Sequence, residues 1–505
     1  MVLSVKAKVS LINVRHSDSN VMPEGLLSIA GYIEASGHSA QVFDPFFGNE
    51  TFINKLREFN PDIIGYSILT STYKRGIDLH KKIKSMCGDA FFCAGNVHPT
   101  ALPEPVLAEM GIDAVIIGEG EKPFLHICNT LDQIRKDRDS LRTIRSVALI
   151  SHGNLYINHE LDLIQNLDEL PFTPYDKLVV EKYLIPPGYI RSHYYPRTLV
   201  VYTGRGCPYS CVFCASHMIS GRGYRRHSVS YMIEFLKLLK DRHRLEAFYF
   251  FDDTFTIDAV WLNEFLNRYK SEINLPWGAQ GRVDLIDEKV LRLFAGTGCV
   301  QIDYGVESGS DRVLSALGKK ITTDDIRRAF RLTRQYKIRP YASIMVGNPE
   351  ERWEDILKTS ELLREIKPAY TSVCFIQPLP GSGLYNLSIK HGWFRSDICQ
   401  EYSDWDFRKS AEPIIAIDMT AKEIIKARAL LQNQQFLRNY FGFISLSTSR
   451  FILYLLCNLI SSPALIWKAL RQFWKTGKFD DCIDFALLAT RYRIMKRRVR
   501  AIEDL

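Results

Sequence analysis

Nothing in the 505-residue sequence is an uninterrupted apolar run long enough to span a membrane. The best candidate, Phe451 to Leu470, is broken by Asn458, Ser461, Ser462, Pro463 and Lys468. A buried or surface-lying amphipathic hairpin is expected there instead. The first residues, MVLSVKAKVSLINV, lack the basic-then-apolar layout and small-residue cleavage site of a secretory signal. Eleven cysteines, mostly scattered, make no disulfide framework. A cytoplasmic, reducing location is therefore expected, with Cys87, Cys93, Cys128, Cys299, Cys374 and Cys482 as small core residues. No short-period repeat is present. Excess charge is small: the net is +8, and much of it sits in Arg491, Arg493, Lys496, Arg497, Arg498 and Arg500. Such a cluster suits a solvated helix face, an acidic substrate or peripheral contact with an anionic membrane. No nucleic-acid partner is expected.

What is present is the composition of a soluble globular protein, 46% hydrophobic and 24% charged, long enough for two or three domains. Over residues 1–135 the apolar runs KVSLINV, AQVF, DIIGYSI, AFFCAG and DAVIIG alternate with helical patterns such as EGLLSIAGYIEASG and YKRGIDLHKKIKSM. Strands alternating with helices predict an α/β fold with a parallel, doubly wound, Rossmann-like sheet. Ligands of such sheets sit at the carboxyl ends of the strands. Here those ends are polar or glycine-rich: Asp44, Ser67 to Thr72, Gly95 to Thr100, and Gly118 to Glu121. Residues 136–197 hold Pro171, Pro174, Pro186, Pro187 and Pro196 without a strong period, and read as a linker. Over 198–390 the alternation resumes, with TLVVY, AFYFF, WGAQ, VQIDYGV, YASIMV and TSVCFI as strands. Six such units predict a full or partial (β/α)6 barrel with its chemistry at the carboxyl ends. Residues 391–505 are mostly helical in pattern. Their aromatic residues, among them Phe441, Tyr454 and Trp467, suit helical core, a hydrophobic substrate or a membrane surface.

Directly after the first barrel strand stands TGRGCPYSCVFCASH, in which Cys207, Cys211 and Cys214 have the spacing C-x3-C-x2-C and Phe213 precedes the third cysteine. Three thiolates on a tight loop can hold three irons of a cubane and leave the fourth open. Gly204 and Gly206 let the backbone turn sharply. The alternative is a structural zinc site, which would draw His217 in as a fourth ligand.

The spacing, and the aromatic residue before its last cysteine, resemble the radical S-adenosylmethionine (SAM) superfamily. The resemblance implies a [4Fe–4S] cluster on the three cysteines, chelated at its open iron by SAM. It continues in FFDDTFT (250–256), which implies contact of Asp252 or Asp253 with the SAM amino group. In GRVDLIDEKVLRLFAGTGC it implies Arg282 at the SAM carboxylate, and in DYGVESGSDRVL Glu307 at the ribose. In SIMVGNPEE and QPLPGSGLY it implies an adenine pocket shaped by Gly347 and Pro349. On the residues alone, the alternatives are that Asp252 and Asp253 cap the next helix and that Arg282 and Glu307 are ion-pair partners.

The first domain resembles the cobalamin-binding domain of the cobalamin-dependent radical SAM class through PEGLLSIAGYIEASGHSAQVFDP, PDIIGYSILTSTY, AGNVHPTALPE and DAVIIGEGEKPF. With the barrel, this resemblance covers roughly residues 5–390. It implies Ser67, Thr70, His98 and Glu119 near cobalamin, His98 by holding the nucleotide tail or capping a turn. Mutase-type cobalamin proteins carry D-x-H-x-x-G, but here Phe46 follows Asp44-Pro45 where the histidine would stand, so no such ligand to cobalt is expected. The alternative is a Rossmann-like domain that binds substrate or nothing.

The activity implied is cleavage of SAM to a 5′-deoxyadenosyl radical, followed by cobalamin-dependent methylation of an unactivated carbon in a lipid, tetrapyrrole or other natural product. A cobalamin-linked radical cyclase, similar to the anaerobic magnesium-protoporphyrin ester cyclases, is the second possibility. A non-catalytic binding protein retaining the fold is the third. An electron donor such as flavodoxin or ferredoxin is the implied partner.

Overall fold

The computed structural model describes residues 6–15, 21–45, 49–184, 197–395 and 412–441, with the single residues 190, 195 and 410. The hairpin expected at Phe451 to Leu470, the basic cluster Arg491 to Arg500 and Cys482 lie outside the described residues. Among the described residues no helix is long and apolar enough to cross a membrane.

The first body comprises, in chain order, β1 (Lys8–Val14), α1 (Glu24–Ala35), β2 (Ser39–Phe43), α2 (Asn49–Phe59), β3 (Ile63–Ile68), α3 (Tyr73–Lys84), β4 (Phe91–Gly95), α4 (Val97–Ala101), α5 (Pro103–Met110), β5 (Ala114–Ile116), α6 (Glu121–Lys136), β6 (Val147–Ser151) and β7 (Asn154–Ile157). Its sheet has the order β2-β1-β3-β4-β5-β6-β7, and β1 to β5 are parallel. Successive strand residues feed opposite cores, as a period of two requires. Ile63 belongs to the same buried core as Leu27 and Ile33 of α1 and Ile127 of α6, while Ile64 belongs to a separate one with Leu56 of α2, Ile83 of α3 and Leu107 of α5. Apolar residues on both faces are why these strands read as continuous hydrophobic runs.

Residues 136–197 differ from the linker expected. β6 and β7 pair antiparallel and extend the first sheet. Their turn, His152-Gly153, has φ of +49° and +76°, the left-handed pair that matches the twist of a hairpin. The prolines that suggested a linker all lie beyond Ile157.

The second body continues with β8 (Thr198–Val201), β9 (Gly204–Arg205), α7 (His217–Ser220), β10 (Arg225–Arg226), α8 (Val229–His243), β11 (Ala247–Phe250), α9 (Ala259–Glu272), β12 (Trp277–Gly281), α10 (Glu288–Gly296), β13 (Cys299–Glu307), α11 (Asp311–Ala316), α12 (Thr323–Gln335), β14 (Arg339–Val346), α13 (Trp353–Ile366), β15 (Tyr370–Phe375), α14 (Gly383–His391) and α15 (Ala421–Phe441). The strands run parallel in the order β8-β11-β12-β13-β14-β15. β8 and β15 do not pair, so the barrel is partial. Local signals start its helices: Ser228, Asp258 and Asp287 cap α8, α9 and α10, and a Thr322–Asp325 capping box starts α12. Asp258, not Asp252 or Asp253, caps α9.

One apolar cluster runs through both bodies. It joins Leu27, Ala30 and Ile33 of α1 to Tyr175 and Tyr183 of the connecting segment, and these to Val201 of β8 and Phe235 of α8.

Candidate active site

Beyond β8 the chain forms a two-residue ribbon, with Arg205 opposite Arg225 and Gly204 opposite Arg226. The ribbon is the neck of a loop that carries Cys207, Cys211 and Cys214, all three half-buried free thiols. Gly206 closes the neck at φ +88°; a Cβ there would lie 2.0 Å from the Gly223 carbonyl oxygen, so only glycine fits. The middle of the loop is tied down from two sides. Val212 N donates to Leu317 O at 3.0 Å, and Leu384 N donates to Val212 O at 2.8 Å.

Hydroxyls attend two of the sulfurs: Thr254 Oγ1 lies 3.7 Å from Cys207 Sγ and Ser216 Oγ lies 3.3 Å from Cys214 Sγ. Ser216 N also donates to Cys214 Sγ at 3.5 Å. Burial raises the pKa of the Cys211 thiol, and the charges of Lys319 and Arg282 oppose that rise. Among the described residues no three His, Cys, Asp or Glu side chains converge on a single ion. A cubane takes one thiolate per iron, and the loop offers three half-buried thiols for that chemistry.

The carboxyl edge of the first sheet faces this loop. A Cβ on Gly118, in the turn after β5, would lie 3.0 Å from Ile219 O of α7. Glu119 accepts from Arg225 through both oxygens, at 2.6 and 3.0 Å, and lies 3.3 Å from Arg205 Nη1. Glu121 Oε1 accepts from Arg205 Nη2 at 2.7 Å and from Ser28 Oγ at 2.6 Å. Glu24, at the start of α1, accepts from Tyr175 Oη at 2.8 Å; burial pushes its pKa up to about 7, against Tyr175 and Arg205.

In the first sheet the strand order reverses between β1 and β3, which opens a crevice at their carboxyl ends. Ser67 Oγ there accepts from Asn96 Nδ2 at 2.9 Å, and Thr70 is buried beside it in sequence from Leu69, an apolar side chain left 41% exposed. Small hydroxyls around an uncovered leucine suit a large, partly apolar cofactor. His98 is fully buried with its ring 4.3 Å from that of Tyr73, and burial lowers its pKa to about 4, so it is neutral. Asn96, not His98, caps α4. Asp44 is paired with Arg15 and accepts from Tyr183 Oη at 2.7 Å. Phe46 lies outside the described residues.

Residues 11–127 match the B12 binding domain model and residues 201–363 the Radical SAM superfamily model. An uncharacterised methyltransferase of Pyrococcus horikoshii is 30% identical over 392 residues, which cover 76% of this chain and 82% of that protein. The chain belongs to the cobalamin-binding radical SAM family. An anaerobic magnesium-protoporphyrin IX monomethyl ester cyclase of Rubrivivax gelatinosus is 28% identical over 377 residues, 72% of this chain and 66% of the cyclase. In fold, the chain resembles the radical SAM methyltransferase TsrM of Kitasatospora setae, whose structure holds cobalamin and a [4Fe–4S] cluster. The TM-score is 0.70 at 15% identity, covering 99% of this chain and 100% of TsrM. The expected cofactors, a [4Fe–4S] cluster, SAM and cobalamin, thus rest on the chain's own two family domains.

Within this cobalamin-binding radical SAM chain, the residues expected at SAM fall into two groups. Asp252 and Arg282 are taken up by the protein itself. Asp252, 1% exposed, accepts from Thr203 N at 2.6 Å, pairs with the Thr203 hydroxyl and lies 3.6 Å from Arg226. Burial still raises its carboxyl pKa. Arg282 forks onto Asp284 at 3.0 and 3.1 Å, donates to Lys319 O at 3.0 Å and stacks 3.5 Å over Tyr209 of the cysteine loop.

Asp253, Glu307 and Gly347 form the second group. Asp253 is solvent-accessible, bonds Ser216, and is raised in pKa by its surroundings and by Asp252. Glu307, at φ +63° on the end of β13, accepts from Lys319 Nζ at 2.7 Å through one oxygen. Lys319 Nζ also lies 5.8 Å from the Phe213 ring centre. Gly347 N donates to Glu351, which is buried and pushed up to about 7 by that burial. Sequence reasoning missed Arg205, Arg225 and Lys319, and placed Glu121 only at a polar strand end. Arg205 and Arg225 meet their carboxylates 84 and 106 residues away, beyond any local pattern.

Proposed function

We propose that this cobalamin-binding radical SAM enzyme transfers a methyl group to an unactivated carbon of a small-molecule or lipid substrate. The reading is carried by the meeting of two edges: the turn Gly118 to Glu121 of the B12-binding domain abuts α7, which follows Cys214 by three residues. When bound, the cluster and SAM supply one-electron cleavage of SAM, and cobalamin supplies a transferable methyl group. Cys207, Cys211 and Cys214 hold the cluster, and Arg282 and Lys319 favour the Cys211 thiolate. Asp253, Glu307, Gly347 and Phe213 are assigned to the SAM side, and Ser67, Thr70 and His98 to the cobalamin side. Asp252, Arg282 and Glu119 are assigned to holding the loop and the domain junction. A flavodoxin- or ferredoxin-like donor and a cytoplasmic setting with peripheral membrane contact belong to the same proposal.

The cyclase relative supports a second reading, radical cyclisation without methyl transfer. Anaerobic reconstitution with iron, sulfide and hydroxocobalamin tests both. About four irons and one cobalamin per chain are expected, with S-adenosylhomocysteine and a methylated product on turnover. 5′-Deoxyadenosine without S-adenosylhomocysteine would favour cyclisation. A chain that binds neither iron nor cobalamin would refute both.

A further inference from the structure

We infer that Glu119 and Glu121 of the first domain are positioning residues for the iron–sulfur cluster of the second. The inference rests on the radical SAM reading above. Arg205 stands two residues before Cys207, and the ribbon register sets it directly opposite Arg225. Like charges placed opposite each other across a strand pair repel. The carboxylates that balance them come from the other domain: Arg225 forks onto Glu119 at 2.6 and 3.0 Å, and Arg205 reaches Glu121 at 2.7 Å and Glu119 at 3.3 Å.

Both glutamate side chains are 3% exposed, Arg225 is 9% and Arg205 22% exposed, so solvent reaches the network mainly at Arg205. Arg225 Nη2 also donates to Ser220 O at 3.2 Å, which fastens the last residue of α7 inside the cysteine loop. The acid pair therefore closes the neck of the loop and anchors its exit. A loop that opens at the neck separates Cys207 from Cys211 and Cys214, and the cluster loses a thiolate. Both oxygens of Glu119 are engaged by arginines of the neck, a role additional to the cobalamin contact expected from sequence.

The test uses the full chain, reconstituted anaerobically with iron, sulfide and hydroxocobalamin. Iron release to a chromogenic chelator and the electron paramagnetic resonance spectrum of the reduced cluster are measured, beside cobalamin uptake and thermal unfolding. Glu119→Gln and Glu121→Gln are expected to take up cobalamin yet release iron at least about tenfold faster, with an altered cluster spectrum, because each removes one of the two carboxylates that balance the facing arginines. Glu34→Gln is the control. It removes the charge of another paired carboxylate, which accepts from Lys177 Nζ at 2.7 Å away from the neck, and should leave iron release unchanged. Should the glutamine variants misfold, Arg225→Lys keeps the charge but not the fork, and an intermediate release rate is expected. Wild-type release and spectrum in both glutamine variants, or in Arg225→Lys, would overturn the inference. So would equal acceleration by Glu34→Gln. A wild-type chain that holds no iron would instead sink the radical SAM reading.

Discussion

Gly206→Ala puts the neck of the cysteine loop to its most direct test. The residue sits at φ +88°, and an added Cβ would meet Gly223 O at 2.0 Å and Ser220 O at 3.5 Å. The nearest obstacle is backbone, so no side chain can swing away to relieve it. A left-handed conformation costs alanine ~1–2 kcal/mol, and forcing the extra carbon into a packed neck costs ~1–3 kcal/mol more. The sum, ~2–5 kcal/mol, shifts the ratio of closed to open neck roughly 30-fold or more. The rest of the barrel has no contact with that methyl and should keep its fold. Iron and acid-labile sulfide after anaerobic reconstitution report the outcome, with far-ultraviolet circular dichroism as the check on folding. Iron is expected to fall well below half of the wild-type content while cobalamin uptake is kept. Gly223→Ala, whose Cβ would point into open space, should behave as wild type. Full iron in Gly206→Ala, or equal damage from Gly223→Ala, would refute the steric reasoning.

Further outcomes follow from buried charge and from the ligands themselves. Lys319→Met leaves Glu307, 6% exposed, without its partner and should cost ~3–5 kcal/mol. The double variant with Glu307→Gln should recover much of that in thermal unfolding, and purely additive losses would refute the pairing. Glu351, raised by burial from 4.5 to about 7, keeps in the fold a proton that the unfolded chain releases. Its contribution to stability is therefore full below pH ~4.5 and is lost as pH rises to ~7, amounting to ~3 kcal/mol. Urea unfolding at both pH values should show a smaller decline for Glu351→Gln than for wild type, and identical declines would contradict this. Cys211→Ala should abolish the cluster while leaving cobalamin uptake intact; a four-iron cluster in that variant would remove Cys211 from the ligand set.

The parts of the molecule that were legible in the sequence are those whose physics is local. β1 to β5 are apolar runs bounded by helical periods because both faces of their sheet are covered, whereas β13 to β15 of the barrel alternate buried residues with half-buried or exposed ones. The cysteine loop is legible because its ligands lie within eight residues, Cys207 to Cys214. The hairpin of β6 and β7 escaped because a short antiparallel pair on a sheet edge carries little periodicity, and the prolines downstream dominate the composition. Ion pairs escaped for a different reason. Arg205 and Glu121 are 84 residues apart and Arg225 and Glu119 are 106 apart, so nothing in the local pattern couples them. Family resemblance drew Asp252, Arg282 and Glu119 toward the cofactors. The fold shows their charges largely met by neighbouring protein groups.

The apolar cluster shared by the two bodies has a thermodynamic consequence. Domains that meet through a continuous core melt together, since separating them exposes that core to water. Tyr175 contributes to it from the connecting segment, fully buried, with its hydroxyl 3.4 Å from Val200 O of the first barrel strand. Calorimetry of the full chain should then show one main transition for the described portion. Cobalamin, the ligand of the family to which residues 11–127 belong, should raise the melting temperature of the whole by linkage. Cutting the chain at residue 197 is expected to yield two aggregation-prone fragments rather than two working halves.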